Sequence, residues 1–302
     1  MKDYIGVDIG GTKIAVVRCN ADGEVLSSTT VPAPAQAGGD AMIAAVKHGI
    51  ESLGDEPIAA IGVGAAGVIS GGTVVAASDT FVDWVGVAID RRLRDRFRVP
   101  VYALNDVNAF LAGELTWGVG RGESDLFGLT LGTGVGGAVA LNGRVWVGRG
   151  GMAGEIGHTP GYGDLLCTCG QSGHLETRAS GRAIEAAFLA LTGRATPGTE
   201  IADRARVGDP SALAVYDGAA QAVAQAAVTA ANLFDLLHVV VGGGVRQAWD
   251  VLSRPLEQWL ARLPSVSGVT VRVSPSSLGK HGVALGAAAA AMEEESREPV
   301  GL

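Results

Sequence analysis

Cys167 and Cys169 flank a single threonine, and His174 follows five residues later in the stretch CTCGQSGHLE. They are two of only three cysteines in the chain, and with His158 as a fourth member they make a set of two thiols and two imidazoles. Such a set suits tetrahedral zinc. Four protein ligands leave no open position, so a metal held this way is structural and would stiffen the loop that carries Glu155, His158 and Glu176. A ligand histidine commonly offers its second ring nitrogen as a donor, and at His158 that donor could meet a substrate hydroxyl. The alternative is two buried, reduced cysteines beside unrelated histidines.

Two glycine-rich turns carry a second kind of chemistry. In DIGGTK, residues 8–13, Asp8 closes an apolar run and Gly10, Gly11, Thr12 and Lys13 follow. Glycines permit positive φ and let backbone N–H groups face a phosphate, while Thr12 and Lys13 add a hydroxyl and a charge. Alone this is equally a plain glycine hairpin. In LGTGVGG, residues 131–137, Gly132, Thr133 and Gly134 lie at the matching point of the second half. Two such loops from two lobes can clamp the phosphates of a nucleotide in a cleft. A third glycine run at 242–244, centred on Gly243, would let backbone pass close to the nucleoside. A dinucleotide fold needs GxGxxG opening a helix and an acid about 20 residues later. Here a hairpin follows each turn, which argues against an NAD enzyme.

Asn105 and Asp106 sit where an apolar strand hands over to a helical pattern. Both are favoured helix N-cap types, so capping alone could explain them. Beside phosphate loops, Asp106 is also a candidate base for activating a hydroxyl.

The elements that must position these residues read as follows. Strands are expected at 4–10, 14–19 and 24–31, forming an antiparallel meander, with a turn at 20–23. A helix over 39–53, a buried strand over 58–67, a helix over 87–97, a strand over 99–105 and a helix over 106–118 come next. From about 125 the pattern restarts with a strand at 125–134 and a hairpin at 136–148, its turn the type I′ pair Asn142-Gly143. A buried strand at 237–244 and a closing helix at 279–295 end the series, with a frayed tail from Glu293. Strand, glycine turn and hairpin thus occur twice, which predicts two like α/β lobes. The expected division is 1–117, completed by the C-terminal helix 280–296, and 118–279, with a metal loop at 158–176.

Bulk composition excludes several classes. The chain of 302 residues is 47% apolar and 18% charged, with 46 glycines and a net charge of −8. That acidic balance argues against a nucleic-acid partner. The one basic run, RRLRDRFR at 91–98, reads as the solvated face of a helix anchored by Leu93 and Phe97. The longest apolar segment, ALGAAAAAM at 284–292, is too short for a membrane span and reads as a tightly packed helix. The N-terminus enters a strand at once with no signal-peptide pattern, so a cytoplasmic, reducing location is expected.

In order along the chain, DIGGTK (8–13), LNDVNAFLAGE (104–114), LGTGVGGA (131–138), GEIGH (154–158), CTCGQSGHLE (167–176), ASG (179–181) and VGGGV (241–245) resemble the ROK family of repressors, open reading frames and sugar kinases. The resemblance implies the fold shared by actin, Hsp70 and hexokinase, two lobes with a mixed five-stranded sheet each. It implies that Asp106 is the general base toward a sugar hydroxyl. It implies that Asn105, Glu155, His158 and Glu176 hydrogen-bond the sugar, with Gly67 near them through its backbone, and that Mg²⁺ bridges the phosphates of ATP. A homodimer is the family's habit.

The expected activity is transfer of the γ-phosphate of ATP to the 6-hydroxyl of a hexose, with glucose the first choice. No extended basic groove is legible, which favours ATP over polyphosphate. The alternative is a kinase for an amino or N-acyl hexosamine: N-acetylmannosamine, N-acetylglucosamine or kanosamine. Two departures motivate it, since the chain reads GAAG at 64–67 and DTFVDW at 79–84 where the family usually has a proline-containing turn and an Asn-Leu-x-Trp-like segment. His174 also replaces the family's common third cysteine. A ROK repressor is disfavoured because no winged helix precedes the first strand.

Overall fold

Strand β1 (Asp3–Ile9) is the middle strand of the first sheet in the computed structural model, which describes residues 2–296. Its apolar, β-branched residues Ile5, Val7 and Ile9 all face one core. β2 (Lys13–Asn20) and β3 (Val25–Pro32) complete the expected meander, and α1 (Gly39–Glu51) follows. β4 (Ala60–Ala65) is buried throughout, as a strand covered on both faces must be. A short hairpin absent from the sequence reading, β5 (Val68–Ser70) and β6 (Thr73–Ala76), precedes α2 (Ile89–Phe97), β7 (Val101–Asn105) and α3 (Asp106–Thr116). The sheet runs β3-β2-β1-β4-β7, with β1, β4 and β7 parallel.

The second half repeats this plan. β8 (Leu126–Leu131) pairs antiparallel with β9 (Val135–Leu141), and Asn142 and Gly143, at φ 54° and 75°, make the expected turn into β10 (Arg144–Trp146). The helices α4 (Glu176–Ala179), α5 (Gly181–Thr192), α6 (Gly198–Arg206) and α7 (Pro210–Phe234) follow. Then come β11 (His238–Gly242), α8 (Trp249–Arg262), β12 (Arg272–Pro275) and α9 (Gly282–Ser296). The order of this sheet, β10-β9-β8-β11-β12, matches the first strand for strand.

The chain divides into two compact units: residues up to 124 with 143–153 and 277 onward, and residues 125–142 with 154–276. In the first, α9 lies on β1 and β4 at a distance only glycine allows: a Cβ at Gly62 would fall 1.7 Å from the Ala287 carbonyl oxygen. In the second, the core gathers Phe127, Leu129, Val239 and Val241 of the sheet with Ile184, Phe188 and the alanine-rich face of α7. Asp209 caps α7, accepting the Ser211 N–H at 2.8 Å, and Pro210 occupies its first turn.

The basic run behaves as a solvated face. Leu93 is fully buried, while Arg92 pairs with Asp40 and Arg96 with Glu51. The tail departs from expectation: α9 stays helical through Ser296, because Lys2 binds Glu295 at 2.6 Å and Arg144 lies 3.6 Å from Glu293, holding its last turn. The remainder of the expected frayed tail, 297–302, lies outside the described residues. Among the described residues, no helix is long and apolar enough to cross a membrane.

Candidate active site

In the first unit, pairing register brings the predicted residues to one edge. Ile9 is level with Ala65, and Ala65 with Asn105, so three parallel strands end together. With neighbouring strands about 4.8 Å apart, the DIGGTK turn, the 64–67 turn and Asn105-Asp106 leave the sheet within about 10 Å of one another. Asn105 is the N-cap of α3: its Oδ1 accepts the N–H groups of Val107 at 2.9 Å and Asn108 at 3.2 Å. Its Nδ2 donates to the Gly67 carbonyl at 2.9 Å. The amide thus fixes both the helix start and the Gly67 turn, where φ is 108°. Asp106 is the first helical residue, and its Oδ1 accepts the Val107 N–H at 3.0 Å. The tight seat of α3 on β4 orients it, since a Cβ at Gly64 would fall 2.9 Å from the Ala109 Cβ.

The first glycine turn is closed by the Gly10 N–H donating to the Lys13 carbonyl at 3.1 Å, and Thr12 and Lys13 are exposed. Burial pushes the Asp8 carboxyl up to about 6, against the pull of Lys13. None of Gly10, Gly11, Gly132 and Gly134 has positive φ; at Gly11 and Gly134 what packing requires is the missing Cβ. A Cβ at Gly11 would fall 2.8 Å from Thr80 Cγ2, and one at Gly134 2.3 Å from Glu176 Oε2. The departing segment at 79–84 therefore packs against the first turn. Trp84, fully buried, donates to the Ala66 carbonyl at 3.4 Å and ties that segment to the 64–67 turn as well.

In the second unit, Glu155 and His158 bracket the 3-10 turn Ile156–His158, which is pressed on β9 so closely that a Cβ at Gly157 would fall 2.0 Å from the Val135 carbonyl oxygen. Desolvation raises the Glu155 carboxyl; His158 opposes the shift and Glu176 adds to it. The cysteines sit on a tight turn in which the Cys167 N–H donates to the Gln171 carbonyl at 2.7 Å. Ligand atoms of His158, Cys167, Cys169 and His174 all lie within 4.8 Å of one another. Cys167 Sγ is 3.7 Å from His158 Nδ1, and Cys169 Sγ is 3.3 Å from His174 Nδ1. Tetrahedral zinc with ordinary bond lengths would place sulfur and nitrogen about 3.6 Å apart, so the donor set fits the metal.

Glu176 opens α4, is buried, and reaches both loops. Oε2 accepts the Val135 N–H at 3.0 Å, and Oε1 accepts the Thr168 hydroxyl at 2.7 Å. Gly243, at φ 84°, completes the second set: its Cβ would fall 2.5 Å from the Leu131 carbonyl oxygen, so its backbone lies against the second glycine turn.

Sequence reasoning passed over three residues at these turns. Thr168, between the cysteines, serves Glu176 rather than a metal. His281 lies near Lys13 with its Nδ1 buried and unpartnered among the described residues; burial and the nearby Lys280 and Lys13 lower its pKa. Arg182, directly after the ASG stretch, donates from Nε to the Thr133 carbonyl at 2.9 Å. Only its position beside a motif could have drawn notice.

A model of the ROK family matches residues 4–294. The chain is 33% identical over 303 residues to a glucokinase of Thermotoga maritima, covering 94% of this chain and 95% of that protein. It is 34% identical over 256 residues to an N-acetylmannosamine kinase of Yersinia pestis, covering 83% of this chain and 86% of that one. Its fold matches a ROK family glucokinase from Streptomyces griseus, solved in complex with glucose and AMPPNP, with a TM-score of 0.82, 32% identity, and coverage of 96% of this chain and 99% of that chain. The doubled sheet is accordingly that of the actin-like ATPases, and on a match that spans nearly its whole length the chain belongs to the ROK family.

Proposed function

We propose that this protein is an ATP-dependent sugar kinase that transfers the γ-phosphate of ATP to the 6-hydroxyl of glucose. The observation that carries the reading is the likeness to glucokinases over nearly the full chain, joined to an aspartate at the start of α3 on the same sheet edge as a glycine-lysine turn. The domains proposed for the work are 1–117 with 280–296, and 118–279.

Phosphoryl transfer passes through a loose transition state and asks mainly for alignment and charge neutralisation. Asp106 accepts the proton of the attacking sugar hydroxyl. Asn105, which holds the Gly67 carbonyl, presents that turn to the sugar, and Glu155, His158 and Glu176 receive or donate the ring-hydroxyl bonds that reject analogues lacking them. Gly10, Gly11, Thr12 and Lys13, near Asp8, and Gly132, Thr133 and Gly134, near Gly243, supply the N–H groups, hydroxyls and charge for the phosphates. Mg²⁺, when bound to ATP, neutralises phosphate charge. Zinc held by His158, Cys167, Cys169 and His174 is structural, and its S2N2 set leaves His158 Nε2 for a sugar hydroxyl.

A second reading, phosphorylation of an amino or N-acyl hexosamine, is favoured by the packing of Thr80 against the first turn and of Trp84 against the 64–67 turn, and by the N-acetylmannosamine kinase relative. A cytoplasmic homodimer is part of the proposal, measurable by light scattering as twice the 30.5 kDa chain. The deciding experiment is a coupled ADP-release screen over hexoses and hexosamines. Glucose should lead in kcat/KM by tenfold or more. A hexosamine in front selects the second reading, and no ADP with any sugar ends both.

A further inference from the structure

We infer that Arg182 is a phosphate-binding residue of the second glycine turn, supplying the positive charge that the turn itself lacks. The inference rests on the reading of residues 131–137 as a phosphate loop. The first turn carries Lys13; the second, LGTGVGG, has no cation of its own. Arg182 fills that place from the first turn of α5. The Gly181 N–H donates to the Gly132 carbonyl at 2.8 Å and seats the helix start against the loop, while Ser180 caps the helix by accepting the Ala183 N–H at 3.0 Å. Arg182 Nε then donates to the Thr133 carbonyl at 2.9 Å, which aims the guanidinium along the loop.

The rest of the fork is available. The side chain is 53% exposed, and one terminal nitrogen forms a long ion pair with Glu176 Oε1 at 3.8 Å, beyond hydrogen-bond reach. That oxygen already takes the Thr168 hydroxyl at 2.7 Å. Among the described residues, the two terminal nitrogens of Arg182 make no hydrogen bond. A guanidinium anchored through Nε keeps its two NH₂ groups in a fixed plane, the geometry that grips two oxygens of one phosphate. An arginine needed only to tie down the loop would be served by Nε alone.

The test is titration calorimetry of ADP and of adenosine with Arg182→Gln, Arg182→Lys and Gly132→Ala. Arg182→Gln should weaken ADP about ten- to hundredfold, the effect of losing one charged phosphate contact, and leave adenosine unchanged. Arg182→Lys keeps the charge but not the two-pronged grip, so its loss should lie between wild type and Arg182→Gln. Unchanged ADP affinity in Arg182→Gln overturns the inference, as does an equal loss in adenosine binding, since that marks a loop anchor instead. Gly132→Ala separates the two levels. Its Cβ meets only the Gly134 carbonyl oxygen at 4.0 Å, so the fold accepts it, while on the phosphate-loop reading a methyl there takes space the phosphate needs. If Gly132→Ala weakens ADP while Arg182→Gln does not, Arg182 alone is dismissed; if neither does, the phosphate-loop reading fails with it.

Discussion

The Glu176 carboxylate accepts the Val135 N–H at 3.0 Å at the foot of the second glycine turn, and the same group takes the Thr168 hydroxyl from between the two cysteines. One buried side chain therefore cross-links the turn of Cys167 and Cys169 to the second glycine turn within the second unit.

Replacing Glu176 by Ala leaves the buried Val135 N–H without its acceptor, at about 1–3 kcal/mol, while the exposed Thr168 hydroxyl can turn to water. Expected are a lower Tm, a drop in kcat/KM of about a hundredfold or more, and weakened binding of sugar and of ADP together. Glu176→Gln keeps an acceptor for Val135 and should recover much of the Tm. Differential scanning calorimetry beside steady-state kinetics checks this, and an unaltered Tm in the alanine variant contradicts the cross-link.

For Asp106, the base assignment predicts that Asp106→Asn lowers kcat by about 10²–10⁴-fold. The asparagine is nearly isosteric and can still accept the Val107 N–H that Asp106 Oδ1 accepts at 3.0 Å, so α3 should start in the same place. Sugar affinity by calorimetry should stay within a few-fold. Wild-type turnover in this variant removes the assignment.

Asp8 gives a pH signature in stability. Its carboxyl titrates near 6 in the folded protein, above the ordinary 3.8, because burial disfavours the charged form. The favourable contribution is therefore complete below pH ~4 and is lost as pH rises through about 6. Above that, the ionised group costs about 1–3 kcal/mol. Asp8→Asn should raise unfolding free energy by about that amount at pH 8 and change little at pH 4, measured by urea denaturation. A gain equal at both pH values would show that titration is not its source.

The metal set predicts about one zinc per chain in freshly purified, chelator-free protein, by elemental analysis. Cys169→Ser should lose most of it, and residues 163–172, exposed apart from Cys167, should become the first site of proteolytic cleavage. Sugar KM should rise as His158 loses its anchor. Zinc retained in full by Cys169→Ser would mean the four side chains do not form the site.

Much of this protein is written locally. Apolar β-branched runs ended by glycine, such as residues 4–10 and 237–244, determine strands wherever they are placed, and the Asn142-Gly143 pair determines its turn because both positions need positive φ. The repeated order of strand, glycine turn and hairpin likewise announced a doubled fold. The spacing of Cys167, Cys169 and His174 suggested a metal-ligand set, and the fold brings those three together with His158.

What needed the tertiary structure was the partner of each side chain. Asn105 read by itself is first a helix cap and only second a ligand residue, and only the fold shows one amide capping α3 and holding the Gly67 carbonyl together. The glycines of both turns left open whether φ or space required them; packing shows it is the missing Cβ, for Glu176 at Gly134 and for Thr80 at Gly11. Arg182 carries no signal in one dimension, because its distance from Thr133 is set by where α5 begins against the sheet. Composition and periodicity act over a few residues and so determine elements. Contacts between residues dozens of positions apart depend on how those elements pack, and that is decided only when the chain is folded.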